Sequence, residues 1–388
     1  MIKKIVILGS TGSIGKNLIS LIKKDKKNFE IKLLSTHTNL NLVVKQAIEF
    51  KVKHIIISNK KYFSIAKKKY KNLDIKFHNS FLVIKKIFNK KMVDYSMISI
   101  VGLDGLAPTL EMIKFSKSIA IANKESIICG WNLIKKKIKN YNTKFIPVDS
   151  EHFSIYSLLN NNKTSTIDKI FITASGGPFL NQQKSKLLNV KKSHAISHPN
   201  WSMGQKISID SSTMMNKVFE VLEAKKIFDI KLKNIFILTH PKSYIHSIVK
   251  FKNEIIKILI HEPDMKIPIY NSLFENDSKI LKSNNLNLNI LNNLNLKSIN
   301  YTKFPLVKIL KHFKNIDSLY ETALVTINDF FVMKYLNDEI KYHEMIKKIY
   351  KYANLKYFLK YRYVIPKNVK DIYNFRDYVS MKINDLDV

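Results

Sequence analysis

The chain opens with an unbroken apolar run, Ile5-Val-Ile-Leu8, then a glycine-punctuated loop, then an amphipathic run from Asn17 to Lys24. A short stretch that is apolar on both faces predicts a buried strand, and strand, loop and helix in that order predict the start of a parallel sheet. Residues 30–34, 54–57, 95–101, 118–122 and 144–148 read as further strands of the same kind. Residues 169–174 predict another strand, and the alternation from Phe251 to Ile260 predicts strands joined by hairpins. The stretch from Ser283 to Asn300 is rich in Asn and Leu without a period and reads as a linker. From Phe304 onward helical periods dominate, as in residues 323–332, and predict a small helical bundle.

This pattern predicts an α/β protein with an N-terminal parallel sheet, an α+β middle part and a C-terminal helical bundle. The expected boundaries are 1–149, 150–282, a linker at 283–303, and 304–388. No internal repeat stands out.

Composition changes this picture little. With 388 residues, 45% of them hydrophobic, the chain can bury several cores. The formal net charge of +36 suggests a polyanion binder at first sight. The lysines, however, are spread along the whole length among abundant Asn and Ile, residues encoded by A/T-rich codons, and no base-reading module is visible. Nucleic acid is therefore not the expected partner, although the charge would steer anionic small molecules. The single cysteine, Cys129, excludes an internal disulfide framework and multi-cysteine metal sites. No apolar run reaches membrane-spanning length, and the opening strand is too short for a signal peptide and runs into the glycine loop. The expectation is a cytoplasmic protein with no membrane association.

The candidate chemistry lies at the ends of the predicted strands. Gly9-Ser-Thr-Gly12-Ser-Ile-Gly15 is a variant of the dinucleotide fingerprint in its proper context, where glycines admit a pyrophosphate and a helix N-terminus offers N–H donors. The second strand ends in Ser35-Thr-His-Thr-Asn39 without the acidic residue that holds an NAD ribose, which favours NADP. Gly102-Leu-Asp-Gly105 is a turn where a cofactor could lie, and Asn123-Lys124-Glu125 is either a ligand-facing strand end or a solvated helix start.

Asp149 and Glu151 are i and i+2 on extended backbone, so their carboxylates share a side. Two hard oxygen donors there suit Mg²⁺ or Mn²⁺; alternatively Asp149 or Ser150 only caps the following helix. Ser175-Gly-Gly-Pro178 is a turn fit for a phosphate or an ordinary loop. His198-Pro-Asn-Trp201-Ser-Met-Gly204 reads as a lid over a ring, or as a loop anchored by Trp201 in the core. His194 and His198 are four apart, but no glutamate follows His194 and Pro199 interrupts, which argues against zinc. Within Asp210 to Glu220, Ser212 or Thr213 can cap a helix on which Asn216, Lys217 and Glu220 share a face. They form a surface Lys–Glu pair, or else Glu220 completes a three-carboxylate site while Ser211, Asn216 and Lys217 hold a phosphorylated substrate.

Together these motifs resemble the 1-deoxy-D-xylulose 5-phosphate reductoisomerase family over essentially the whole chain. The resemblance rests on residues 9–15, Ala122-Asn-Lys-Glu125, Val148-Asp-Ser-Glu-His152, Ala174-Ser-Gly-Gly-Pro-Phe179, 198–204 and Asp210 to Glu220. It implies a Rossmann-like NADPH-binding domain, a catalytic domain with a lid near 197–205, a C-terminal helical domain and a homodimer. It implies Asp149, Glu151 and Glu220 as ligands of Mg²⁺ or Mn²⁺. Substrate contacts carry over to Lys124, Ser150, Glu151, Ser175, His198, Ser211, Asn216, Lys217 and Glu220, with Trp201 closing over substrate and nicotinamide. Lys124 and His198 join the three carboxylates as the catalytic set. Cofactor contacts carry over to Thr11, Gly12, Ser13, Ile14, Asn39, Asn123, Glu125 and Gly204. The implied reaction is rearrangement and NADPH-dependent reduction of 1-deoxy-D-xylulose 5-phosphate to 2-C-methyl-D-erythritol 4-phosphate, in isoprenoid precursor synthesis.

The chain departs from the family pattern at His37-Thr38, at Val218-Phe219, and in the C-terminal part, where residues 319–323 and 326–329 replace Gly-Gly and Asn-Ala-Ala-Asn-Glu runs. The first departure bears on the contact to the 2′-phosphate; the last reads as drift in a scaffold. The competing readings are an NADP-dependent sugar-phosphate dehydrogenase without metal or rearrangement, and a basic RNA-binding protein.

Overall fold

The structure, a computed structural model, describes residues 2–88, 93–159, 162–183, 187, 190–201, 203–274, 281 and 287–387. Its strands are β1 (Lys3–Leu8), β2 (Phe29–Thr36), β3 (His54–Ile57), β4 (Lys76–His78), β5 (Val93–Ile98), β6 (Ser116–Ile121), β7 (Lys144–Pro147), β8 (Ile167–Ala174), β9 (Ile235–Thr239), β10 (Ile245–Phe251), β11 (Ile256–Ile260) and β12 (Lys297–Ser298). The chain divides into two compact units. One comprises Met1–Ser126, Asn132–Asp149 and Met265–Leu281; the other comprises Ile127–Trp131, Ser150–Asp264 and Lys282–Val388.

The first unit is built on a parallel sheet in the order β4-β3-β2-β1-β5-β6-β7. Ile5, Ile7, Leu34, Ile55 and Ile57 are buried in one core with Leu18, Ile22, Val43 and Val44 of the helices Ser13–Lys23 and Leu40–Glu49. Burial of both strand faces explains why these strands read as continuous apolar runs. The strand order reverses between β1 and β5, and a crevice forms at the C-terminal ends of such strands. The glycine loop leaves β1 at this point. Gly9 has φ +91°, and a Cβ there would meet the Ser99 carbonyl oxygen at 2.5 Å. A Cβ on Gly15 would meet the Gly9 carbonyl oxygen at 2.4 Å, so the helix can begin this close to the loop only with glycine at that position.

Two features of this unit differ from the sequence expectation. Strand β4 is only three residues long, carries a lysine and two partly buried residues, and gives no apolar run to detect. Residues Met265–Leu281 belong to this unit and not with 150–264, because Ile269, Leu273 and Phe274 are buried in its core and Tyr95 Oη lies 2.8 Å from Ser272 Oγ.

The second unit contains a mixed sheet in the order β11-β10-β8-β9-β12. The helix Ser150–Leu159 packs on β10 and β11, and the helix Met215–Ile227 packs on β8 and β9. Both helices are buried around much of their circumference. The register aligns Ile258, Ile248, Phe171 and Phe236 in one row across four strands, with Ile258 and Phe236 exposed. The expected linker contributes to this unit through the short helix Leu288–Asn292 and through β12, which pairs with β9; its residues 283–286 lie outside the described residues. The C-terminal part is helical as expected. The helix Leu319–Leu336 is buried almost all round and begins in a capping box of Ser318 and Glu321. Lys226, buried on the helix Met215–Ile227, pairs with Asp317 and with Glu321 at 3.3 Å, tying that helix to the C-terminal segment. No helix among the described residues is long and apolar enough to cross a membrane.

Candidate active site

In the first unit the candidate cofactor residues gather at the switch point. Gly9 N–H donates to Ser35 Oγ at 2.8 Å and Ser10 N–H to the Ser35 carbonyl at 3.0 Å, which fixes the loop against the end of β2. Thr11 Oγ1 and Thr36 Oγ1 are 2.8 Å apart. The helix of Ser13 and Ile14 starts at Gly12 without a side-chain cap or an acidic residue in its first turn, which leaves its dipole end suited to an anion. His37 Nδ1 lies 2.9 Å from Ser58 Oγ, so this departure from the family pattern is held by the neighbouring strand end.

Asn39 and Asn123 both act as N-caps, of the helices Leu40–Glu49 and Lys124–Tyr141. Asn123 does more. Its buried amide donates to the Gly102 carbonyl at 2.7 Å and to the Ile100 carbonyl, and a Cβ on Gly105 would meet it at 2.8 Å. It therefore shapes the turn after β5. Glu125 is buried in the first helical turn, and Lys124 Nζ pairs with Asp149 Oδ2 at 2.9 Å.

In the second unit Glu151 and Glu220 each offer an oxygen within 4.8 Å of the other. Lys217 Nζ hydrogen-bonds to both carboxylates, and Asn216 Nδ2 donates to Glu220. All of these but the half-buried Asn216 are buried. Burial alone would lower the Lys217 pKa, but the two carboxylates outweigh it and hold the ammonium above its ordinary range. The solvated Lys–Glu surface pair is thus excluded: the lysine reaches a second glutamate on another helix. Ser150 Oγ donates to Glu151 Oε2 at 2.6 Å. The backbone of this cluster is also held in place. Ser247 Oγ donates to the Glu151 carbonyl at 2.8 Å, and His152 Nε2 lies 2.9 Å from the Glu220 carbonyl. Sequence reasoning placed Ser247 on a strand and gave it no part in the site. His152 stood in the Asp-Ser-Glu-His run, where its position one residue after Glu151 was the available signal.

A hydroxyl cradle lies in the same unit. His198 Nδ1 accepts the backbone N–H of Asn200 at 3.1 Å and of Trp201 at 3.0 Å. Its Nε2 is 2.9 Å from Ser175 Oγ, which also accepts the Gly177 N–H at 3.0 Å. Burial, then the charge of Lys217, lowers the His198 pKa to about 4. The ring is therefore neutral and carries its proton on Nε2. With two donors directed at Ser175 Oγ, that hydroxyl has its own proton left to donate.

Gly177 packs its Cα face on the helix Gln205–Ser212, where a Cβ would meet Ser212 Cα at 3.0 Å and the Ser211 carbonyl at 3.1 Å. The Ser-Gly-Gly turn and the Ser211 helix are thereby neighbours. Trp201 is half-buried and meets His246 at a steep angle, ring centroids 5.9 Å apart and planes at 69°. Gly204 begins the Ser211 helix in an ordinary extended conformation with open space where a Cβ would project. Residue 202 of the expected lid lies outside the described residues.

A glycine loop at the switch point of a parallel sheet, with a second unit built on paired carboxylates and a hydroxyl cradle, defines a nucleotide-dependent enzyme for a small anionic substrate. Three family models match in succession: 1-deoxy-D-xylulose 5-phosphate reductoisomerase at residues 5–130, its C-terminal domain at 145–228, and the DXP reductoisomerase C-terminal domain at 260–380. The chain is 53% identical over 387 residues to 1-deoxy-D-xylulose 5-phosphate reductoisomerase of Pelagibacter ubique, covering 100% of both chains. It is 37% identical to that of Wolbachia pipientis wMel, covering 89% of each. Among solved structures it superposes on the Zymomonas mobilis reductoisomerase in complex with NADPH, with TM-score 0.87, 26% identity and 100% and 99% of the two chains covered. It also superposes on a DOX-P reductoisomerase in complex with NADPH, fosmidomycin and magnesium, with TM-score 0.89, 29% identity and 99% and 98% covered. The chain belongs to the 1-deoxy-D-xylulose 5-phosphate reductoisomerase family.

Proposed function

We propose that this chain converts 1-deoxy-D-xylulose 5-phosphate to 2-C-methyl-D-erythritol 4-phosphate, using NADPH and Mg²⁺ or Mn²⁺, as a step in isoprenoid precursor synthesis. The observation that carries the reading is the Lys217 ammonium lodged between Glu151 and Glu220. Two buried carboxylates this close need a cation, and their hard oxygens suit a divalent one. Asp149, two residues before Glu151, would supply the third oxygen ligand. The glycine loop suits NADPH equally, because glycine at positions 9 and 15, where a Cβ would meet backbone atoms at 2.5 and 2.4 Å, lets the loop pack tightly at the start of a helix whose N–H groups suit a pyrophosphate.

When bound, the metal supplies Lewis-acid polarisation of the substrate's oxygens and NADPH supplies hydride. The chain's residues do the rest. Ser175, Ser211, Asn216 and Lys217 grip the phosphate, whose binding energy positions the distant reacting carbons. His198, neutral, holds Ser175 so that its hydroxyl proton faces the ligand. Trp201 covers the site and keeps water from it. Lys124 holds Asp149 through an ion pair. Ser150 orients Glu151. Thr11, Gly12, Ser13, Ile14, Asn39, Asn123, Glu125 and Gly204 serve the cofactor.

The three-part division into cofactor-binding, catalytic and C-terminal helical segments belongs to this reading, as does work in the cytoplasm. So does a homodimer, which the exposed ends of the Ile258–Phe236 row support. The test is NADPH oxidation with 1-deoxy-D-xylulose 5-phosphate, with and without Mn²⁺, followed by identification of the product. Turnover that survives EDTA and Glu220→Gln, with an unrearranged product, would establish a simple dehydrogenase instead.

A further inference from the structure

Tyr342 opens the helix Tyr342–Ala353 in the C-terminal part of the second unit, far along the chain from every motif of the site. It is buried, and it touches both elements of the hydroxyl cradle. Its hydroxyl donates to Ser212 Oγ at 3.0 Å, and Ser212 Oγ in turn donates to the Ile209 carbonyl at 2.8 Å. Its ring meets Phe179 edge-on, with centroids 5.2 Å apart and planes at 69°. Phe179 closes the turn that begins at Ser175, and Ser212 follows Ser211 on the helix Gln205–Ser212.

Two further observations give this contact meaning. The Ser211 helix ends at a buried non-glycine residue in left-handed conformation, Met214 with φ +65°, before the helix of Lys217 and Glu220 begins. Such a junction persists only when its surroundings hold it. Part of that hold reaches the Ser211 helix from the C-terminal part. Besides Tyr342, Asn328 Nδ2 donates to Asp210 Oδ1 at 2.8 Å, while the buried Asn328 Oδ1 has no partner among the described residues. An acceptor is left unsatisfied in order to clamp this helix.

We propose that Tyr342 is a positioning residue for phosphate recognition, setting the Ser175 turn and the Ser211 helix at the spacing a phosphate requires. The hydroxyl fixes one element and the ring the other. The proposal rests on the reading of Ser175 and Ser211 as phosphate ligands. It makes the helical C-terminal part, read from sequence as scaffold, a determinant of substrate affinity.

The test compares Tyr342→Phe, which keeps the ring, with Tyr342→Leu, which loses ring and hydroxyl. Inorganic phosphate binding by calorimetry, KM for the sugar phosphate, kcat/KM for unphosphorylated 1-deoxy-D-xylulose, and NADPH affinity are measured on the full-length enzyme. Tyr342→Phe is expected to weaken phosphate binding and raise KM by about three- to tenfold, the cost of one net hydrogen bond. Tyr342→Leu is expected to do more, while NADPH affinity and turnover of the unphosphorylated sugar stay within about twofold of wild type. Unchanged phosphate binding in Tyr342→Phe, or loss of all four quantities together, overturns the proposal. A wild type that binds no phosphate overturns instead the phosphate-site reading on which it depends.

Discussion

The backbone N–H of Trp201 donates to His198 Nδ1 across 3.0 Å, so the residue that would close the site is tied to the ring that orients Ser175. Because Asn200 N–H donates to the same nitrogen, protonating it would break two hydrogen bonds at once. The ring's pKa is also lowered from 6.5 to about 4, by burial first and Lys217 second. The neutral ring's contribution to stability is thus fully present above about pH 6.5 and is lost as pH falls through about 4. An imidazole NMR titration of the free enzyme should find His198 as the Nε2–H tautomer, unprotonated down to about pH 5. Protonation near pH 6.5 would contradict this arrangement.

Ser175 can be tested separately. Its hydroxyl accepts from His198 and Gly177 and has one proton left, which a phosphate oxygen would receive as a charge-assisted hydrogen bond. Ser175→Ala should therefore raise KM for the sugar phosphate by roughly ten- to a hundredfold. NADPH affinity, measured by fluorescence titration, should hardly move. An unchanged KM would remove Ser175 from the phosphate site.

Lys217 competes with any divalent ion for Glu151 and Glu220, since its ammonium already bonds to both. Replacing it should have opposite effects on two ligands. In Lys217→Gln, calorimetry without substrate should show Mn²⁺ binding at least about tenfold tighter, because two carboxylates lose their internal counter-charge. KM for the sugar phosphate should rise, because the phosphate loses a cation. Weaker Mn²⁺ binding in the variant would mean that the lysine supports the metal site and does not compete for it.

Gly15 gives the corresponding test for the first unit. A methyl group there would lie 2.4 Å from the Gly9 carbonyl oxygen and 2.5 Å from Ser10 Cα, both backbone atoms that cannot turn aside. Gly15→Ala should displace the loop, lower stability by about 1–3 kcal/mol and weaken NADPH binding by tenfold or more. Mn²⁺ binding to the second unit should persist. Equal NADPH affinity in the variant would show that the cofactor does not use this loop.

The parts legible in the sequence were those set by local periodicity. The continuous apolar strands of the first sheet declared themselves because both faces are buried, and the spacing of Lys217 and Glu220 was enough to place them on one helical face. That Lys217 also reaches Glu151, sixty-six residues away, is a tertiary fact that no window of sequence contains. For the same reason the return of residues 265–281 to the first unit and the strand β12 inside an Asn-rich stretch went unread. Tyr342 gave no signal either, because a buried tyrosine at a helix start looks the same whether it packs a core or braces a ligand site.

The row Ile258, Ile248, Phe171 and Phe236 leads to a prediction about assembly. Directly paired residues lie on the same face of a sheet, so these side chains form one apolar band, and Phe171 and Phe236 stack with centroids 5.3 Å apart. Edge strand β11 adds Ile256 and Ile260 as further exposed residues. A second copy of the chain would cover this band, but Lys250 and Lys169 stand in the next row of the same face and each copy carries a net charge of +36. Apolar burial and charge repulsion therefore oppose each other, and salt weakens only the second, because the Debye length falls from about 30 Å at 0.01 M to about 8 Å at 0.15 M. Sedimentation measurements should show a dimer that tightens over that range of ionic strength. Ile258→Lys, which adds a charge at an exposed end of the band, should leave the fold intact and shift the protein toward monomer by tenfold or more in dissociation constant. A dimer that loosens with added salt, or that ignores Ile258→Lys, would place the interface on another surface.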